Sequence, residues 1–139
     1  MNRVEEVFLD TSYAIALAAH TDQLHPKAMQ IAAQMQTDRT RIVTTRAVLL
    51  EIGNALGKQR YRSTAVALLE ALQEDPSVEI VPISDDIYSR AFDLYRSRPD
   101  KEWGLVDCIS FIVMQERGIV GALTADVHFL QAGYSALLR

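Results

Sequence analysis

At 139 residues the chain has the length of one ordinary domain, enough to bury a real core. Apolar residues make up 49% and charged residues 23%, a globular composition, and no apolar run approaches the roughly 20 residues of a membrane span. A net charge of −4 argues against a simple polyanion binder, and the single cysteine, Cys108, excludes an internal disulfide and a cysteine-based zinc cluster. The opening Met1-Asn2-Arg3-Val4-Glu5-Glu6 lacks the basic start of a secretory signal, so a cytoplasmic setting is expected.

In chain order, Val4 to Leu9 reads as a short buried strand and Ser12 to Ala19 as an alanine-rich helix. Pro26 suits the first position of a helix that Lys27 to Gln36 continues. Arg41 to Thr45 is short and β-branched, hence a strand. Arg46 to Gly57 and Ser63 to Glu74 follow as helices, with Asp75-Pro76 as the stop. Val78 to Ile83 is the next strand. Ser84 is a good N-cap for a helix over Asp85 to Arg96, and the acidic pair Asp85-Asp86 suits the helix dipole rather than acid–base chemistry. Pro99 marks a loop, and Leu105 to Arg117 is a buried helix closed by Gly118. Ile119 to Thr124 is a strand, Val127 to Ala132 a short helix, and Tyr134 to Leu138 adds an edge strand. Strands alternating with helices predict a single α/β domain over 1–139, its sheet mostly parallel and covered by helices on both faces.

Four carboxylates sit inside apolar runs: Asp10 after Val7-Phe8-Leu9, Glu51 in Leu49-Leu50-Glu51-Ile52, Asp107 in Leu105-Val106-Asp107-Cys108-Ile109, and Asp126 after Ala122-Leu123-Thr124-Ala125. Burying an unpartnered carboxylate is expensive, and no Lys or Arg shares these runs, so one common cation is the economical partner. Asp10 and Asp126 fall at the carboxyl ends of strands. Glu51 and Asp107 fall in the first halves of helices. All four locations lie near the sheet edge where ligands bind in open α/β folds. Clustered like charges need a cation between them, and an all-oxygen set selects Mg²⁺ or Mn²⁺. Such an ion can activate a water and stabilise the leaving oxygen of a phosphodiester. Each carboxylate also has an ordinary structural reading: Asp10 and Asp126 as helix N-caps, Asp107 as a charge on a helix dipole, Glu51 as the partner of a neighbouring cation such as Arg46.

The flanks of these carboxylates resemble the PIN-domain ribonuclease family, which includes the VapC-type toxin component of VapBC-type toxin–antitoxin pairs. Phe8-Leu9-Asp10-Thr11-Ser12 resembles that family's first motif and Leu50-Glu51-Ile52-Gly53-Asn54-Ala55-Leu56 its helical Glu motif. Leu105-Val106-Asp107-Cys108-Ile109-Ser110-Phe111 resembles the third motif and Leu123-Thr124-Ala125-Asp126-Val127-His128-Phe129 the fourth. The resemblance covers essentially the whole chain in the right order. It implies a three-layer α/β/α sandwich around a mostly parallel sheet of four or five strands, and metal-dependent endonucleolytic cleavage of RNA. On this resemblance Asp10, Glu51, Asp107 and Asp126 are the catalytic acidic set that binds Mg²⁺ or Mn²⁺. Asp10 is the central ligand with Asp107 and Asp126 beside it, and Glu51 serves a second metal or the attacking water. Thr11 and Ser12 would orient Asp10 or a bound water. The family further implies an antitoxin that masks the site and a homodimer that builds an RNA groove.

Two positions depart from the pattern. Val106 and Gly104 stand where polar side chains are frequent, so a hydrogen bond to Asp107 is expected to be missing. That departure motivates an alternative, a non-catalytic PIN-like module that binds RNA or protein. Cations concentrate at Arg39, Arg41, Arg46, Lys58, Arg60 and Arg62, against Glu51 alone, which permits an RNA partner despite the negative total. Trp103 reads as a cap on the core, Cys108 as a small apolar residue and His25 as a helix-entry residue. His128, two residues past Asp126, reads as a packed or solvent-facing side chain.

Overall fold

A computed structural model describes residues 5–139. The expected start of the first strand at Val4 lies outside the described residues. The elements are β1 (Glu6–Leu9), α1 (Thr11–Ala18), α2 (His25–Asp38), β2 (Arg41–Thr45), α3 (Arg46–Ala55), a 3₁₀ turn (Gln59–Tyr61), α4 (Arg62–Glu74), β3 (Val78–Val81), α5 (Asp85–Ser97), α6 (Leu105–Arg117), β4 (Gly121–Leu123), α7 (Val127–Gln131) and β5 (Ser135–Ala136).

The departures from expectation are at boundaries, and each has a local cause. Leu24 is the N-cap of α2, which puts Pro26 at the second helical position rather than the first; neither position needs its N–H. β3 stops at Val81 because Pro82 has no N–H to give the ladder. β4 begins only at Gly121 because Ile119 is spent on the end of α6, its N–H donating to Met114 O at 2.9 Å. Gly118 makes that closure by adopting φ +68°, where a Cβ is strained. Gly118→Ala is expected to destabilise the fold by roughly 1–2 kcal/mol, read as a lower thermal midpoint.

The five strands lie in the order β3-β2-β1-β4-β5, and every pairing is parallel. The central strands are buried on both faces, with Val7, Phe8, Leu9, Val43, Ala122 and Leu123 in the core, as a covered parallel sheet requires. Chain direction across the sheet explains the layers. From β1 the chain steps to β2 and then β3 on one side. From β3 it crosses back over β2 and β1 to β4, then steps on to β5. Right-handed crossovers therefore set α1–α4 on one face and α5–α7 on the other. The packing within each layer agrees: α1 lies against α2, α3 and α4, α5 against α6, and α6 against α7, while α3 also meets α6. The result is the expected α/β sandwich. Among the described residues no helix is long and apolar enough to cross a membrane.

One aromatic cluster locks α6 to α7. Phe111 meets Trp103 edge-on at 5.1 Å and Phe129 edge-on at 5.0 Å, and stacks on Tyr134 at 5.9 Å. Trp103 is buried and its Nε1 donates to Gln131 Oε1 at 3.0 Å, so it caps the core as the sequence suggested.

Candidate active site

The chain leaves β1 toward one side of the sheet and leaves β4 toward the other, although β1 and β4 are neighbours. The divergence opens a crevice at their carboxyl ends, the place where open α/β sheets bind ligands. Asp10 follows β1, and Thr124 to Asp126 follow β4. Glu51 reaches the crevice from α3 and Asp107 from the first turn of α6.

Thr124 organises the floor. Its Oγ1 donates to Asp10 Oδ2 at 2.7 Å and accepts from Asp126 N at 3.0 Å. Ser12 Oγ lies 3.1 Å from the same oxygen. Thr124 has one hydroxyl proton, already given to Asp10, so Ser12 is the donor in that pair. Ser12 in turn accepts from Ala125 N at 3.2 Å. Two hydroxyls thus tie the end of β1 to the loop after β4, with every proton and lone pair of Thr124 used.

The carboxylates do not share one environment. Asp10 is buried, Asp107 is nearly so, and Glu51 and Asp126 are half-buried, which corrects the expectation of four buried acids. Thr11 Oγ1 donates to Glu51 Oε1 at 2.5 Å. Gly104 N donates to Asp107 Oδ2 at 3.1 Å, and His128 Nδ1 lies 3.0 Å from the same oxygen. Asp126 Oδ1 caps α7 by accepting from His128 N at 2.9 Å. In Glu51, Asp107 and Asp126 the hydrogen bonds among the described residues therefore fall on one oxygen only. No fully buried side-chain oxygen or nitrogen among those residues lacks a partner, so the second oxygens are reachable from outside. Each acid is pinned by one oxygen and offers the other.

Burial pushes the Asp10 carboxyl up to about 6. Hydrogen bonds from Thr124 and the Thr11 N–H pull it down, while the charges of Asp107 and Glu51 add to the rise. Burial likewise raises Asp107, against the Gly104 and His128 hydrogen bonds that favour its anion, and Asp126 repels it. Charge repulsion among these acids is what a cation would relieve. Asp107, Asp126 and His128 each offer one ligand atom, all within 4.8 Å of one another, and the donor set is rich in oxygen. It fits a hard divalent cation; Asp10 and Glu51 stand outside that tight group.

The ordinary readings are partly realised alongside. Asp126 does cap α7, and Asp107 does close the first turn of α6. Asp10 occupies the N-cap position of α1 without a capping side-chain bond, and Arg46 pairs with Gln73 instead of Glu51. The hydrogen bond expected to be missing at Asp107 is supplied by the Gly104 backbone and by His128. His128 is packed, one of the two arrangements the sequence reading allowed, and its ring nitrogen faces an acid. The basic segment does not form one patch beside the acids. Arg39 precedes β2 and Arg41 opens it at the amino edge of the sheet, whereas Arg46 follows it at the carboxyl edge. A cavity of about 690 Å³ lies against Tyr13, Met35, Ile42, Leu72 and Val78, and none of the four acids lines it.

The sequence model of the PIN domain matches residues 7–133. The chain belongs to the PIN domain family. Within it, the chain is 28% identical over 128 residues to the 23S rRNA-specific endonuclease VapC20 of Mycobacterium tuberculosis, with 92% of this chain and 95% of that protein covered, in each of two strains. The crystal structure of M. tuberculosis VapC20, a Sarcin-Ricin loop cleaving toxin, superposes with a TM-score of 0.83 at 27% identity over 92% of this chain and 95% of that one. VapBC2 from Rickettsia felis, bound to a DNA fragment from its promoter, matches with a TM-score of 0.66 at 13% identity over 94% and 96%, a likeness of fold alone. The PIN-like fold inferred from the four motifs is therefore the observed one.

Proposed function

We propose that this chain is a metal-dependent endoribonuclease, the toxin of a VapBC-type pair, acting as a single domain in the cytoplasm. The observation that carries the reading is the crevice at the ends of β1 and β4, where Asp10 feels the charges of Asp107 and Glu51, and Glu51, Asp107 and Asp126 each keep one oxygen free. The similarity to a 23S rRNA-specific endonuclease over nearly the whole chain supports the same reading. A divalent cation, Mg²⁺ or Mn²⁺, bound there supplies an activated water and charge stabilisation for the leaving oxygen of a phosphodiester. The chain's own residues do the rest. Asp10, Asp107 and Asp126 hold the cation, and Glu51, steadied by Thr11, orients the attacking water. Ser12 and Thr124 fix Asp10, and without a cation the acid cluster repels the RNA backbone.

An antitoxin that masks the acids and a homodimer that widens the RNA groove complete the proposal. The alternative of a non-catalytic module loses its motive, because Asp107 keeps its hydrogen bonds in spite of Val106 and Gly104. Purified protein is expected to cut RNA in Mn²⁺ or Mg²⁺, to stop in EDTA and to resume when the cation is restored. RNA binding without any cleavage at saturating cation would establish the binding module instead.

A further inference from the structure

We infer that His128 is a positioning residue for Asp107: its Nδ1–H holds Asp107 Oδ2 so that Oδ1 is presented to the cation. The inference rests on the proposed metal site and adds to it a residue outside the acidic set.

The geometry builds up from α7. Asp126 accepts the His128 N–H at 2.9 Å, which fixes the backbone of His128 at the start of the helix. Phe129 packs on Phe111, and Gln131 accepts from Trp103, so α7 cannot slide along α6. The imidazole is thereby brought over the first turn of α6, with Nδ1 3.0 Å from Asp107 Oδ2 and 3.4 Å from Asp126 Oδ1. An ionised carboxylate only accepts, so Nδ1 carries the proton in this contact. The nitrogen that faces Asp107 and Asp126 donates its proton and has no lone pair left for a cation, so at this contact His128 orients the acid rather than ligating beside it. Gly104 N gives Oδ2 its second hydrogen bond. Two donors on one oxygen fix the plane of the carboxylate. Gly104 lies in the same turn as Asp107 and fixes only the local conformation. His128 is the donor that reaches Asp107 from another element.

The test is Mn²⁺ binding to the full chain, followed by electron paramagnetic resonance, for wild type, His128→Ala, His128→Asn and His128→Gln. An Asn amide nitrogen lies near the place of Nδ1 and can donate; a Gln amide reaches toward the place of Nε2. Wild type is expected to bind Mn²⁺, and His128→Ala to bind about 10–100-fold more weakly, the cost of removing an outer hydrogen-bond partner. His128→Asn is expected to recover most of the loss and His128→Gln little of it. A general loosening of α7 would weaken both amide variants alike. Wild-type affinity in His128→Ala, or equal behaviour of the Asn and Gln variants, would overturn the inference. So would nitrogen hyperfine coupling from a coordinated imidazole. If wild type itself binds no Mn²⁺, the metal-site reading fails and takes this inference with it.

Discussion

Asp10→Asn is expected to stabilise the metal-free protein above pH 7 while lowering RNA cleavage at least about 100-fold, since even outer partners of a metal cost 10–100-fold. The two effects have one origin. Burial lifts the Asp10 carboxyl from 3.8 to about 6, so the folded state keeps a proton that the unfolded chain has already released. Below about pH 4 both states are protonated and Asp10 costs nothing. Between pH 4 and 6 the wild type loses stability as pH rises, and above pH 6 the full cost of about 3 kcal/mol is present. The substituted asparagine carries no charge, and its amide oxygen can accept the Thr124 hydrogen bond that Asp10 Oδ2 accepts now. Thermal melts in EDTA should therefore place Asp10→Asn several degrees above wild type at pH 8, with the two converging at pH 4. A lower midpoint than wild type at pH 8 would mean that Asp10 contributes to folding and is not held at a cost for function.

Thr124→Val should be damaging out of proportion to its size. Valine fills the same buried space but removes three hydrogen bonds at once, to Asp10, from Ser12 and from the Asp126 N–H. Stranding these groups is expected to cost about 2–4 kcal/mol of stability. It should also lower cleavage at least about 10-fold by freeing Asp10 and the Asp126 loop together. Thr124→Ser keeps the hydroxyl and should retain most of both. The comparison separates the hydroxyl from the methyl: equal losses in the two variants would assign the role of Thr124 to packing.

How far the sequence reaches can be judged from particular residues. The apolar runs ending in Asp10 and Asp126 mark strand ends correctly because burial in a parallel sheet acts on consecutive residues. Ser84 and Gly118 mark helix ends correctly because capping is local. Thr124 is invisible at that level. Its partners Asp10 and Ser12 are more than a hundred residues away, and only the adjacency of β1 and β4 brings them together. The contact of His128 is illegible for a related reason. Its role depends on how α7 docks on α6, and the one local sign is its place two residues after a capping aspartate. The missing side-chain donor at Val106 misleads because a backbone N–H, which every non-proline residue carries, does that work at Gly104. The cation-rich segment is not one patch because β2 runs through it, leaving Arg39 and Arg41 at one edge of the sheet and Arg46 at the other.

The central claim is that the acids between β1 and β4 hold the divalent cation. Mn²⁺ soaked into crystals of the wild-type protein and located by anomalous scattering tests it most directly. A peak in the crevice, at about 2 Å from oxygens of Asp10 and of Asp107 or Asp126, is the predicted result, a distance that small hard divalent cations keep. No peak at saturating Mn²⁺, or a peak only on the surface away from these residues, would contradict the account.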